Sequence, residues 1–311
     1  MSRSRIVICL CVLLAFLGLN ACSGPASGAT ITVAGANSTE HKLATALTVE
    51  LLKARGYKVV EKTDYGDPTA LRAALLAGDV DLCWEFTGET WLSHLAHDQP
   101  ITDAAMALEM LRADDAANGI AWVAQAGYHS SMSMWIRLDM AISNSLITLS
   151  DLANYTRSVN ARTRLCTPEE LYRAVQGIRG LTRAYGLSFD ESLVRFGTAS
   201  EGYRALGEGQ CDCALASSLE DLTAAGPLRA LEDDREFFQA SNLAVGVRAA
   251  VLAEHPDLQE ALGSLASALT QEAMADLYRQ ITVERKEPAK VAKSFLKDSG
   301  LDKPAAQATS Q

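Results

Sequence analysis

The residues best placed to do chemistry sit together in Gly78–Trp91, GDVDLCWEFTGETW. A short apolar run, Val80 to Trp84, stops at Glu85-Phe86-Thr87-Gly88-Glu89, where a ring, a hydroxyl, a glycine and two carboxylates crowd together. Polar groups gathered at the carboxyl end of a parallel strand are positioned for a ligand in an α/β fold. The stretch Ile31–Leu43, ITVAGANSTEHKL, has the same grammar: a strand, then Gly35, Asn37, Ser38, Thr39, Glu40 and His41 at a helix start. Such a pair of strand ends and helix starts describes a pocket for a small molecule. Candidate contacts are Asn37, Ser38, His41, Phe86, Thr87 and Glu89.

Other constellations carry less. His94 and His97, followed by Asp98, have the three-residue spacing that puts two imidazoles on one helical face, but a metal needs a further ligand and none is spaced nearby. His129, Met132 and Met134 have the softness copper prefers, yet alternating apolar residues are what a buried strand requires anyway. No metal site is therefore expected, and no cofactor. The chain has no nucleophile elbow, phosphate-binding glycine loop or HExxH zinc motif, so an enzyme is not the expected reading.

Elements that would position these residues follow a β-α-β-α-β order. Strands are expected at 31–34, 58–62, 80–84 and 120–123, and helices at 40–55, 68–77 and 103–117. Leu43, Leu47 and Leu51 form one stripe on the first helix, and Pro68 suits the first turn of the second. A second α/β unit follows, with strands at 162–166, 193–197 and 211–216 and helices at 149–155, 169–185 and 201–207. Ser150 or Asp151 is expected near the cap of the helix at 149–155. A strand at 243–247 and three amphipathic helices, 255–270, 272–280 and 287–299, complete the chain. Two α/β units in tandem predict a two-lobed protein, each lobe a mainly parallel sheet flanked by helices, with the ligand cleft between. The first lobe is expected to combine residues 30–138 with 243–302 and the second to span 139–242. Residues 303–311 read as a disordered tail.

The amino terminus reads as a targeting segment. Arg3 and Arg5 precede an apolar run from Ile6 to Leu19, and Leu19-Asn20-Ala21-Cys22 has the form of a cleavage site ending in cysteine. Residues 1–21 are thus expected to be a signal peptide, and the site resembles a bacterial lipobox with lipid on Cys22. An ordinary signal peptide is the alternative. A spanning helix is not expected, since the run falls short of the roughly 20 residues a bilayer needs. Residues 22–29 would be a flexible tether. Losing Arg3 and Arg5 moves the formal net charge from −10 to −12, and with no compensating basic block nucleic acid is excluded as a partner. Cys83, Cys166, Cys211 and Cys213 remain beyond the tether. They read as small buried hydrophobes, with a bridge from Cys166 to Cys211 or Cys213 as the alternative that an oxidising compartment permits.

Several segments together resemble the substrate-binding proteins of ABC importers for quaternary-ammonium osmoprotectants, namely glycine betaine, choline and carnitine. Asn37-Ser38-Thr39-Glu40-His41 matches that family's NFTEQ-like turn, Leu51–Val59 its LLEARGYKV and Gly78–Glu89 its GEIDLYPEYTGT. Tyr203–Leu206, Leu231–Asp234 with Phe237-Phe238, and Pro288–Ala292 follow in order. The resemblance implies a monomeric receptor, bound to the membrane through its lipid, that closes on a solute and delivers it to an ABC permease. It also implies an aromatic cage around a trimethylammonium group, held by cation–π attraction. Carried across by local alignment, the four cage tyrosines fall on Phe86, Met132, Ser217 and Ser241, and a threonine near the cage becomes Glu89. One ring in four does not box a quaternary amine. Ser217, Ser218 and Ser241 offer hydrogen bonds and Glu89 a charge for N–H groups, so a polar, amine-bearing solute is expected instead. Tyr128, Trp84, Trp91 or Tyr203 could supply relocated rings. A ligand-sensing lipoprotein and an extracytoplasmic enzyme on the same fold remain as alternatives.

Overall fold

A computed structural model describes residues 30–62, 65–158, 162–174, 176–216 and 227–303. The signal segment, Cys22, the tether, Ser217, Ser218 and the tail beyond 303 lie outside the described residues.

Ten described strands divide into two five-stranded sheets. The first contains β1 (Thr30–Ala34), β2 (Lys58–Lys62), β3 (Leu82–Phe86), β4 (Ile120–His129) and β10 (Asn242–Arg248), in the spatial order β2-β1-β3-β10-β4. The second contains β5 (Ser133–Arg137), β6 (Leu165–Thr167), β7 (Val194–Phe196), β8 (Cys213–Ala216) and β9 (Leu228–Ala230), in the order β7-β6-β8-β5-β9. The two-lobed α/β architecture is therefore the expected one, although each sheet is mixed. β10 runs antiparallel to both β3 and β4, and β5 antiparallel to both β8 and β9. Sheet membership also moves the first crossing between lobes. It falls at Ser130–Met132, before β5, and not after residue 138 as expected.

Helix starts carry the caps that their sequences imply. Ser38 caps Thr39–Ala54, Asp67 caps Pro68–Ala77 and Asp103 caps Ala104–Asp115, each side chain accepting a backbone N–H. The cap of Leu149–Ser158 is Thr148, whose hydroxyl accepts from the Asp151 N–H while Asp151 accepts in return from Thr148. That reciprocal pair puts Asp151 beside the cap, as expected. The single helix expected over 169–185 is two, Glu169–Arg173 and Ile178–Tyr185.

The first sheet buries both faces. Ile31, Val33, Leu82, Trp84, Val245 and Val247 pack against Thr39–Ala54 and the three carboxyl-terminal helices. Ala34, Cys83, Ile120 and Trp122 face the opposite layer, formed by Pro68–Ala77 and Ala104–Asp115. The carboxyl-terminal helices thus return to the first lobe, where the Tyr57 hydroxyl donates to Asp257 at 2.7 Å.

One cysteine expectation is overturned. Cys166 and Cys211 form a disulfide, with Cα atoms 5.9 Å apart. Cys211 precedes β8 and lies in the core beside Ala205 and Leu206, whereas Cys213 enters the opposite core. The two do not share a face. Cys83 and Cys213 are buried and free. The bridge closes a loop spanning 45 residues, so replacing both partners by alanine should cost about 2–4 kcal/mol. Denaturant unfolding in oxidising and reducing buffer measures it, and equal midpoints would remove the bridge from the stability of this lobe.

Candidate functional site

The candidate residues separate into two groups joined by Thr87. The first lies in the first lobe, where β1 and β3 end. Ser38 caps its helix by accepting the His41 N–H at 3.3 Å, which leaves the serine hydrogen free for His41 Nδ1 at 2.8 Å. That assignment puts the imidazole proton on Nε2, a buried atom with no partner among the described residues. Burial lowers the His41 pKa despite the opposing Glu40 and Glu85 charges, so the ring is neutral at neutral pH. Its edge meets Phe86 at 5.4 Å between centroids, and Phe86 meets Tyr128 at 6.2 Å. Tyr128 is fully buried, and burial raises its pKa, with Glu40 adding to the shift. Asn37 and Ser38 are exposed on the loop above.

The second group lies on the two crossings between lobes. Ser130 N–H donates to Ser241 O at 2.8 Å, and Ser241 N–H donates to Ser131 Oγ at 3.2 Å, so the crossings are bonded to each other. Beside them is a cavity of about 430 Å³ between the lobes. Thr102 and Ala104 of the first lobe, Met132 and Asn242 at the crossings, and Glu232, Asp233 and Glu236 of the second line it. Among the described residues its lining contains three carboxylates and no lysine or arginine. The acidic wall is a tight turn: Asp233 accepts from the Phe238 N–H at 2.7 Å and from the Tyr185 hydroxyl, and Glu236 adopts φ 51°.

Thr87 was expected to face ligand, and its hydroxyl is committed elsewhere. Fully buried, it accepts the Asn242 N–H at 3.1 Å and reaches Ala240 O at 3.5 Å. It therefore ties the end of β3 to the returning crossing. Gly88 has no room for a side chain: an added Cβ would meet Gln239 Nε2 at 1.9 Å and Ala240 O at 2.6 Å. Glu89 is half-buried on the same turn. Burial, with Glu85 and Asp67 adding and His94 opposing, pushes its carboxyl above the ordinary range.

Relocated rings find other work. Trp84 is buried and donates to Thr48 Oγ1 at 2.8 Å, Trp91 stacks on His97 at 3.4 Å, and Tyr203 is buried edge-on to Trp135. The His94/His97 pair diverges, His97 bonding Asp114 at 2.7 Å while His94 faces Glu85 at 3.4 Å. Sequence reasoning missed Ser131, Gln239, Asn242 and the Glu232–Glu236 wall. The LEDD and FF motifs flagged that wall without giving it a role.

Two α/β lobes joined by paired crossings, with a cavity between them, define a solute-binding protein of the bilobal class. A family profile described as the substrate-binding domain of ABC-type glycine betaine transport systems matches residues 29–298, and the chain belongs to that family. A glycine-betaine-binding protein of Pseudomonas aeruginosa is 29% identical over 303 residues, covering 96% of each chain. An ergothioneine transport permease/ergothioneine binding protein of Helicobacter pylori is 26% identical over 242 residues, 76% of this chain and 41% of that protein. In fold, apo YehZ of Escherichia coli superposes with a TM-score of 0.81 at 23% identity, covering 88% of this chain and 99% of that one. The protein is thus the extracytoplasmic solute receptor of an ABC importer and not an enzyme. No described helix is long and apolar enough to cross a membrane.

Proposed function

We propose that this receptor captures a small, polar, amine-bearing solute and passes it to its permease, while a lipid on Cys22 holds the monomer at the membrane. The observation that carries this reading is the cavity between the lobes, whose charged lining is acidic among the described residues. A cation with N–H groups satisfies carboxylates by charge and by hydrogen bonds together. A trimethylated cation offers no N–H and depends on rings. Glu89 supports the same reading, since a bound ammonium would relieve a carboxyl that its surroundings push toward the neutral form.

Calorimetry with spermidine, lysine, choline and glycine betaine tests the reading. An amine with N–H groups should bind most tightly, and Glu232→Gln with Glu236→Gln should weaken it about tenfold, roughly the loss of one charge-assisted hydrogen bond. Unchanged affinity in that double variant would place the solute away from the acidic wall.

A further inference from the structure

Glu85 is adjacent to Phe86 on β3 and points to the opposite face of the sheet, since successive strand residues alternate. It is 2% exposed. Thr90 Oγ1 donates to its Oε2 at 2.9 Å, His94 Nδ1 lies 3.4 Å from the same oxygen, and Arg72 Nη1 lies 3.7 Å from Oε1. Arg72 also pairs with Asp115, which accepts from the Trp122 indole at 2.8 Å and Asn118 at 2.9 Å. Through Arg72 and Asp115, a second helix and a strand beyond it are therefore linked to Glu85.

Such a network is a poor device for stability alone, because apolar residues of equal volume do as well or better. What it specifies is geometry. Thr90 and His94 reach the same oxygen across a π-helical turn, Thr90–His94, in which Leu95 N–H bonds Thr90 O at 2.9 Å. Turns of this kind are rare and concentrate at functional sites. This one follows directly on the segment bearing Phe86, Thr87 and Glu89.

We propose that Glu85 is a positioning residue for solute capture: its sealed carboxylate holds the Thr87–His94 turn, and with it the Phe86 ring, in the binding geometry before a solute arrives. The inference rests on the reading that this turn faces the solute, and its test needs no solute.

Residue-resolved hydrogen exchange of the full-length, solute-free protein is the measurement. Glu85→Gln should speed exchange at 87–95 about tenfold beyond any change in the rest of the first lobe. Thr48→Val is the control, since it removes the Trp84 indole partner on the other face of the same strand. It should leave the 87–95 segment no less protected, relative to its lobe, than in the wild type. Thr90→Ala removes one donor and keeps the carboxylate, so it should loosen the same segment severalfold even where Glu85→Gln fails to fold. If 87–95 keeps its relative protection in Thr90→Ala, or loosens equally in Thr48→Val, Glu85 is merely structural and the proposal is overturned. Calorimetry of Phe86→Ala with spermidine tests the solute-facing assignment separately: lost binding with unchanged exchange at 90–95 upholds both readings. Unchanged binding removes the role in capture even where the exchange result stands.

Discussion

Arg72→Ala is expected to cost about 3–5 kcal/mol at neutral pH, the range for removing one partner of a buried ion pair. Arg72 is 4% exposed and lies between Glu85 and Asp115, so its loss leaves two sealed carboxylates without the guanidinium that bridges them. At ~2–4 °C per kcal/mol for a unit of this size, the melting temperature should fall by about 6–20 °C. The pH dependence gives the sharper test. In the intact protein burial raises the Glu85 pKa, but His94 and Arg72 outweigh it and hold the carboxyl below its ordinary value. Its stabilisation is therefore present above the unfolded value of about 4.3 and is lost only as pH falls through the lower folded one. Without the guanidinium the largest opposing charge is gone, the Glu85 carboxyl takes a proton more readily, and the penalty shrinks as pH falls. Scanning calorimetry of both proteins at pH 7 and pH 5 should show the gap narrowing. A gap of the same size at both values would mean that packing, not charge, is what Arg72 supplies.

Glycine betaine and choline are expected to bind weakly, and cage-restoring substitutions to reverse the preference. If three cage rings are absent, about 0.5–2 kcal/mol of cation–π attraction is lost at each, which amounts to one to several powers of ten in affinity. The described aromatic side chains argue the same way, because Trp84, Trp91 and Tyr203 are engaged in packing. Met132→Tyr with Ser241→Tyr should tighten choline binding at least tenfold, read by calorimetry against the parent protein. Submicromolar choline binding by the parent would mean that Phe86, Tyr128 and His41, already edge to edge, suffice as a cage.

Most of the fold was legible because its signals are local. Short unbroken apolar runs mark β3 and β10, and Ser38, Asp67 and Asp103 mark helix starts by a chemistry that acts within three residues. Failures came where the answer is tertiary. β5 reads as a chain of methionine, tryptophan and isoleucine that either sheet could bury, and only its pairing with β8 and β9 assigns it to the second lobe. Cys166 and Cys211 are brought within reach by a helix and a turn that sequence spacing does not measure. Thr87 looked like a ligand contact because polar residues at strand ends often are. Its engagement with Asn242, 155 residues away, could not be read from its neighbours.

The place of β10 sets an order on assembly. It is the last of the described strands, yet it lies inside the first sheet, between β3 and β4. β4 pairs with no other strand of that sheet. A chain emerging amino terminus first therefore presents β4 with both edges open until residues 242–248 arrive, after the whole second lobe has been made. During that interval the second lobe can form around its own two cores, while the first waits for the strand that joins β3 to β4. Unpaired edges are where chains meet the wrong partners, so delivery across a membrane exposes this protein most while its first half is already out and its last third is not.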